Sequence, residues 1–64
     1  YSYYTTIERL DTGTTDVRAF RFRSRTGVVI VVVNFTNKPA SATVTGRVVQ
    51  VPAMDTLVLE ENNG

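Results

Sequence analysis

The 64-residue chain has no cysteine, no histidine and no tryptophan. The first absence excludes a disulfide staple, and the first two together exclude a Cys/His zinc site. They also remove the commonest general base and the thiol nucleophile from any catalytic reading. No apolar run is long enough to span a membrane, and no signal-peptide pattern is present. A surplus of one charge is lacking too. Seven basic residues face six acidic ones, for a formal net charge of +1, so the molecule as a whole offers no broad field to a polyanion. Absence of cysteine fits any compartment and does not locate the chain. The chain opens on Tyr1 and not on Met, the start expected of a processed product or of a piece of a longer polypeptide.

A chain of this length makes one domain, residues 1–64, and buries only about 60% of the surface it exposes when unfolded. Hydrophobic gain and conformational entropy then come close to balance, and small domains usually add a disulfide, a metal or a partner surface. With the first excluded and no cofactor or metal motif in sight, a well-packed core helped by a neighbour is expected.

What the sequence does contain is Val, Thr, Ile, Phe and Tyr, residues that suit a pleated surface. No window places apolar residues at i, i+3, i+4 and i+7 over a helical length. Turn signals recur every eight to twelve residues or so, the spacing of an all-β chain. About five strands are expected. Tyr3 to Leu10 is the first, followed by the polar loop Asp11 to Asp16. Val17 to Ser24 is the second, with Phe20 and Phe22 on one face and Arg21 and Arg23 on the other. Arg25-Thr26-Gly27 connects it to Val28–Phe35, which reads VVIVVVNF. A run without alternation means apolar residues on both faces, and so a central strand. After the loop Thr36 to Ser41, the fourth strand spans Ala42 to Val51 with a bend or bulge at Gly46. Pro52 ends it, and Thr56 to Glu60 is the last strand, with Leu57 and Leu59 inward. Residues 61–64 read as a polar, fraying tail. A small antiparallel β-sandwich follows, either Greek-key-like or an antiparallel sheet with one covered face.

Candidate sites are few. Glu8, Asp11, Asp16, Asp55, Glu60 and Glu61 are the acids. A glycosidase needs two of them facing a sugar across a cleft, and their positions in loops and near the end read as surface charge. EF-hand spacing is absent. Arg18, Arg21, Arg23 and Arg25 sit beside Phe20 and Phe22, a pattern shared with RNA-binding sheets. Period two separates the phenylalanines from Arg21 and Arg23, so nucleic acid is not expected as a partner. Instead, the phenylalanines are expected in the core and the arginines paired with Glu8 or set against a neighbouring domain. The candidate partner interface is Arg21, Arg23, Val28, Ile30 and Val32. Tyr1, Tyr3 and Tyr4 are candidate sugar-stacking residues, which makes a polysaccharide a candidate ligand. Asn34-Phe35-Thr36 matches the N-glycosylation pattern, but Asn34 closes a buried strand, and a hydrogen bond to the following loop is expected ahead of a glycan.

Two stretches carry a resemblance. Asp16-Val17-Arg18-Ala19-Phe20-Arg21-Phe22-Arg23, a short hairpin, and Val31-Val32-Val33-Asn34-Phe35-Thr36-Asn37-Lys38-Pro39 follow each other in order. They are joined later by the proline-centred turn and apolar strand Val51-Pro52-Ala53-Met54-Asp55-Thr56-Leu57-Val58-Leu59-Glu60. Together they resemble the C-terminal β-domain of α-amylase-type glycoside hydrolases. The resemblance implies an antiparallel sandwich that packs on a (β/α)₈ catalytic barrel. It also implies that the catalytic carboxylates lie in that barrel, so no residue here inherits a catalytic role. The expected function is a non-catalytic accessory domain whose partner is the catalytic domain of a parent enzyme. The alternatives are a carbohydrate-binding module using Tyr1, Tyr3 and Tyr4, or an assembly subunit whose partner is a second copy of the chain.

Overall fold

The computed structural model describes residues 4–61, with side-chain surroundings for residues 6–60. Six strands follow one another: β1 (Tyr4–Leu10), β2 (Val17–Ser24), β3 (Val28–Asn34), β4 (Ala40–Val44), β5 (Arg47–Val51) and β6 (Thr56–Glu61). They form two antiparallel sheets, a four-stranded one in the order β1-β2-β3-β6 and the hairpin β4-β5. The domain is all-β, as its composition requires. Its path is a meander through β1, β2 and β3, a crossing to the hairpin, and a return beside β3. The Greek-key character is confined to that crossing; an antiparallel sheet with one covered face describes the rest. The thinnest dimension, 16 Å, leaves room for two layers of strands and no third.

The count of strands differs from the expected five because the segment expected as one strand, Ala42 to Val51, is two. Thr45 and Gly46 both take positive φ, 49° and 80°, and join β4 to β5 as a two-residue turn of the kind whose twist matches a hairpin. Val44 pairs with Arg47 directly across it. Gly46 is therefore half of a reversal and not a bulge. At the other end of the chain, Glu61 belongs to β6 and pairs with Val28, so the expected tail begins one residue later; residues 62–64 lie outside the described ones.

The hairpin lies on one face of the large sheet, β4 over β2 and β5 over β3. Alternation then fixes the core. Val17 and Ala19 of β2, Ile30 and Val32 of β3, Ala42 and Val44 of β4, and Val49 and Val51 of β5 form one buried cluster, with Leu10, Ala40, Leu57 and Leu59 packed against it. Each fully buried valine contributes roughly 1.5–3 kcal/mol relative to exposure. Ala19 and Ala42 keep the layers close because neither carries a side chain beyond Cβ. This arrangement reverses the expected orientation of β2. Phe20 and Phe22 are not in the core; they are half-buried on the opposite face, because the covered face is the one that carries Val17 and Ala19.

Three loops meet at one end and are tied by backbone and side-chain bonds. Asn34, 1% exposed, holds the centre. Its Nδ2 donates toward the carbonyls of Lys38 (2.8 Å), Val51 (3.1 Å) and Pro52 (3.2 Å), and its Oδ1 accepts from the Thr36 backbone N–H (2.9 Å) and hydroxyl (2.7 Å). A buried amide so engaged is unavailable to a glycan, and the glycosylation pattern at Asn34-Phe35-Thr36 is a hydrogen-bonding motif. Thr12, also buried, places its hydroxyl 2.7 Å and 2.8 Å from the carbonyls of Thr14 and Val17, and its own carbonyl accepts the Thr43 N–H at 3.1 Å. That last bond ties the β1–β2 loop to the hairpin.

Candidate docking face

The face of the four-stranded sheet turned away from the hairpin has nothing over it among the described residues. Its composition follows from the register. Ile7 stands opposite Phe22, Phe22 opposite Val29, Phe20 opposite Val31, and Val31 opposite Val58. With Val33 these residues make a continuous apolar patch across all four strands. Ile7 is 65% exposed and Val58 59%; Phe20, Phe22, Val29, Val31 and Val33 are half-buried. Phe35 and Met54, which follow β3 and precede β6, are exposed as well. Monomeric proteins rarely leave contiguous apolar patches this broad in water. The VVIVVV run is thus apolar on both faces for two different reasons. Val28, Ile30 and Val32 build the domain's own core, whereas Val29, Val31 and Val33 build its open face.

This placement corrects the expected partner interface. Val28, Ile30 and Val32 do share a face with Arg21 and Arg23, since Arg21 pairs with Ile30 and Arg23 with Val28. That face is the covered one, and the three side chains are 7%, 2% and 0% exposed, so they are not free to meet a partner. The arginines lie on the covered face, opposite the β1 residues Glu8 and Thr6. The Glu8 carboxylate sits 3.4 Å from Arg21 Nη1 and 3.5 Å from Arg23 Nε. The expected cross-strand pairing with Glu8 is therefore present. Both members are partly solvated, and each pair contributes about 1 kcal/mol at most.

The open face carries charge that the arginine count alone did not single out. Arg9 stands opposite Phe20, and Arg18 opposite Val33. Both are exposed, and neither makes an ion pair or hydrogen bond among the described residues. Arg9 is directly across from Phe20 and Arg18 two residues before it on β2, which makes the two arginines diagonal neighbours, a geometry that sets such residues about 7–8 Å apart. Period two contains this signal, because Arg18 has the parity of Phe20 and Phe22. A shallow cleft of about 460 Å³ opens beside them, lined by Arg9, Arg18, Asp11, Thr12, Thr14 and neighbouring residues. Asp11 is turned into its own loop, where its carboxylate accepts the Gly13 N–H at 3.0 Å. At the far corner of the same face stands Glu60, opposite Val29.

Of the tyrosines expected to stack on sugar, Tyr1 and Tyr3 lie outside the described residues. Tyr4 begins β1 opposite Ser24, and only its backbone is described. No three acidic side chains converge on a metal-sized site among the described residues. Comparison of the chain with protein-family models, with curated proteins and with solved structures finds no match.

Proposed function

We propose that the chain is a non-catalytic accessory β-domain of a carbohydrate-active enzyme of the α-amylase type, docked through its open sheet face on the catalytic domain. The observation that carries this reading is the open face itself. Among the described residues of a small domain without staples, Ile7, Phe20, Val29, Val31, Val33 and Val58 stand on the side of the four-stranded sheet away from the hairpin, exposed or half-buried, a surface that a neighbouring domain gains by covering. The resemblance in the β2–β3 and β5–β6 segments supplies the identity of that neighbour. The reading also explains why the acids are scattered: the carboxylates that cleave the glycosidic bond belong to the partner.

Hydroxyl-radical footprinting tests it, run on the isolated chain and on the full polypeptide translated from its reading frame. Phe20, Phe22 and Met54 are expected to be labelled in the isolated chain and protected in the longer one. The isolated chain is expected to release no reducing sugar from starch or aryl glycosides above a buffer blank. Equal labelling in both forms, or turnover by the isolated chain, overturns the proposal.

A further inference from the structure

The open face is not uniformly apolar, and its charges are sorted. Arg9 and Arg18 occupy one corner, at the β1–β2 loop, and Glu60 occupies the diagonally opposite corner, at the end of β6 nearest the β2–β3 connection. The other cations are elsewhere. Arg21 and Arg23 lie on the covered face beside Glu8, Arg25 is in the β2–β3 connection, Lys38 in the β3–β4 connection, and Arg47 opens β5 in the other sheet. Two acids belong to the loop at this corner: Asp11 accepts the Gly13 N–H within it, and Asp16, exposed, precedes β2 two residues before Arg18.

Resting on the reading of this face as the docking surface, we infer that the partner is an apolar protein surface with a carboxylate-bearing edge. That edge seats against Arg9 and Arg18, and the pair fixes the direction in which the sheet docks. Two cations flanking an aromatic ring are well placed for this. Phe20 lies beside both, opposite Arg9 and two residues from Arg18, and guanidinium groups form forked, charge-assisted bonds to carboxylates. An apolar patch alone allows the sheet to dock in several rotations; a patch with cations at one corner and an anion at the other allows one. The inference adds a polarity and an orientation to the partner's chemistry, which the apolar face by itself does not supply.

The test uses three small probes of eight carbons each: octanoate, octanol and octylammonium. Each is titrated below its micelle concentration into the isotopically labelled chain and followed by NMR. Octanoate is expected to shift Phe20, Phe22, Val31 and the Arg9 and Arg18 guanidinium resonances, binding about threefold to tenfold more tightly than octylammonium, the range set by two partly solvated ion pairs. In R9E/R18E the order of the two charged probes reverses while octanol binds as before. In R25E/R47E, which changes the net charge equally but away from this face, the order stays as in the parent. Equal binding of octanoate and octylammonium at these residues refutes the acidic edge and leaves the apolar docking face standing. Failure of all three probes to perturb the face refutes the docking reading as well. A dimer in sedimentation that buries Phe20 and Val31 makes a second copy the occupant. Tighter binding of an octauridylate at the same residues makes it a nucleic acid. Either result overturns the inference.

Discussion

Replacing Asn34 by aspartate exchanges one nitrogen for an oxygen and leaves the shape unchanged, yet it reverses the polarity of the centre of the loop end. Nδ2 faces three carbonyl oxygens, those of Lys38, Val51 and Pro52. An ionised carboxylate there presents a negative oxygen to three acceptors in a site that is 1% exposed. The other oxygen keeps its two donors from Thr36, so the loss falls entirely on one side. An uncompensated buried charge costs about 3–5 kcal/mol. A domain of this length has a total stability of roughly 3–10 kcal/mol at the usual per-residue margin. Asn34→Asp is therefore expected to remove about a third or more of the stability at neutral pH, and Asn34→Ala, which removes the donors without adding a charge, to cost about 1–3 kcal/mol. Urea denaturation followed by far-UV circular dichroism measures both. The pH profile separates the mechanisms. The environment raises the folded-state pKa of the new acid above its unfolded value of about 3.9. The unfolded chain then loses its proton first, and the variant's deficit relative to the parent is small below that value and grows as pH rises toward the folded pKa. Asn34→Ala shows no such slope relative to the parent. An Asp variant as stable as the parent at pH 7, or a deficit independent of pH, refutes the assignment of Nδ2 to the three carbonyls.

Two further outcomes are expected. Val32→Thr buries a hydroxyl in the apolar cluster and costs about 1–3 kcal/mol, whereas Val31→Thr, one residue away on the open face, changes stability by less than about 0.5 kcal/mol; similar losses in paired thermal melts contradict the assignment of faces. Thr45→Asn places a residue that tolerates positive φ at a position where a β-branched side chain is strained, and is expected to add about 0.5–1 kcal/mol despite losing the 2.7 Å contact of the Thr45 hydroxyl with the Val44 carbonyl; an unchanged or lowered melting temperature counts against strain at the turn.

The strands themselves were legible in the residues, because β-branched runs and polar turn clusters act locally. The split between β4 and β5 was not, because Thr45-Gly46 lacks the Asn or Asp that usually marks a two-residue turn. The pairing of Val44 with Arg47 and the positive φ of Thr45 and Gly46 reveal it. The facing of β2 was misjudged for a different reason. Alternation separates Phe20 and Phe22 from Arg21 and Arg23 but does not say which set is covered, and side-chain size favoured the phenylalanines. What decides is the hairpin's close approach, which needs Val17 and Ala19. Misplacing that one layer moved the expected interface onto Val28, Ile30 and Val32. Asn34 was read correctly as a hydrogen-bonding residue because it ends an apolar run at the point where the chain must turn.

The return of β6 to the edge of β3 has a kinetic consequence. The ladders β1–β2, β2–β3 and β4–β5 each join neighbours through short connections, so their ends meet at little entropic cost. The β3–β6 ladder instead closes a loop that runs through residues 35–55 and contains the whole hairpin. Loop closure penalises such a pairing until intervening structure has drawn the ends together. β6 is thus the strand expected to pair last. The hairpin that covers the core is also the scaffold that shortens its path, and Asn34, which ties the end of β3 to Val51 and Pro52, holds the start of that path in place before Thr56 reaches Val33.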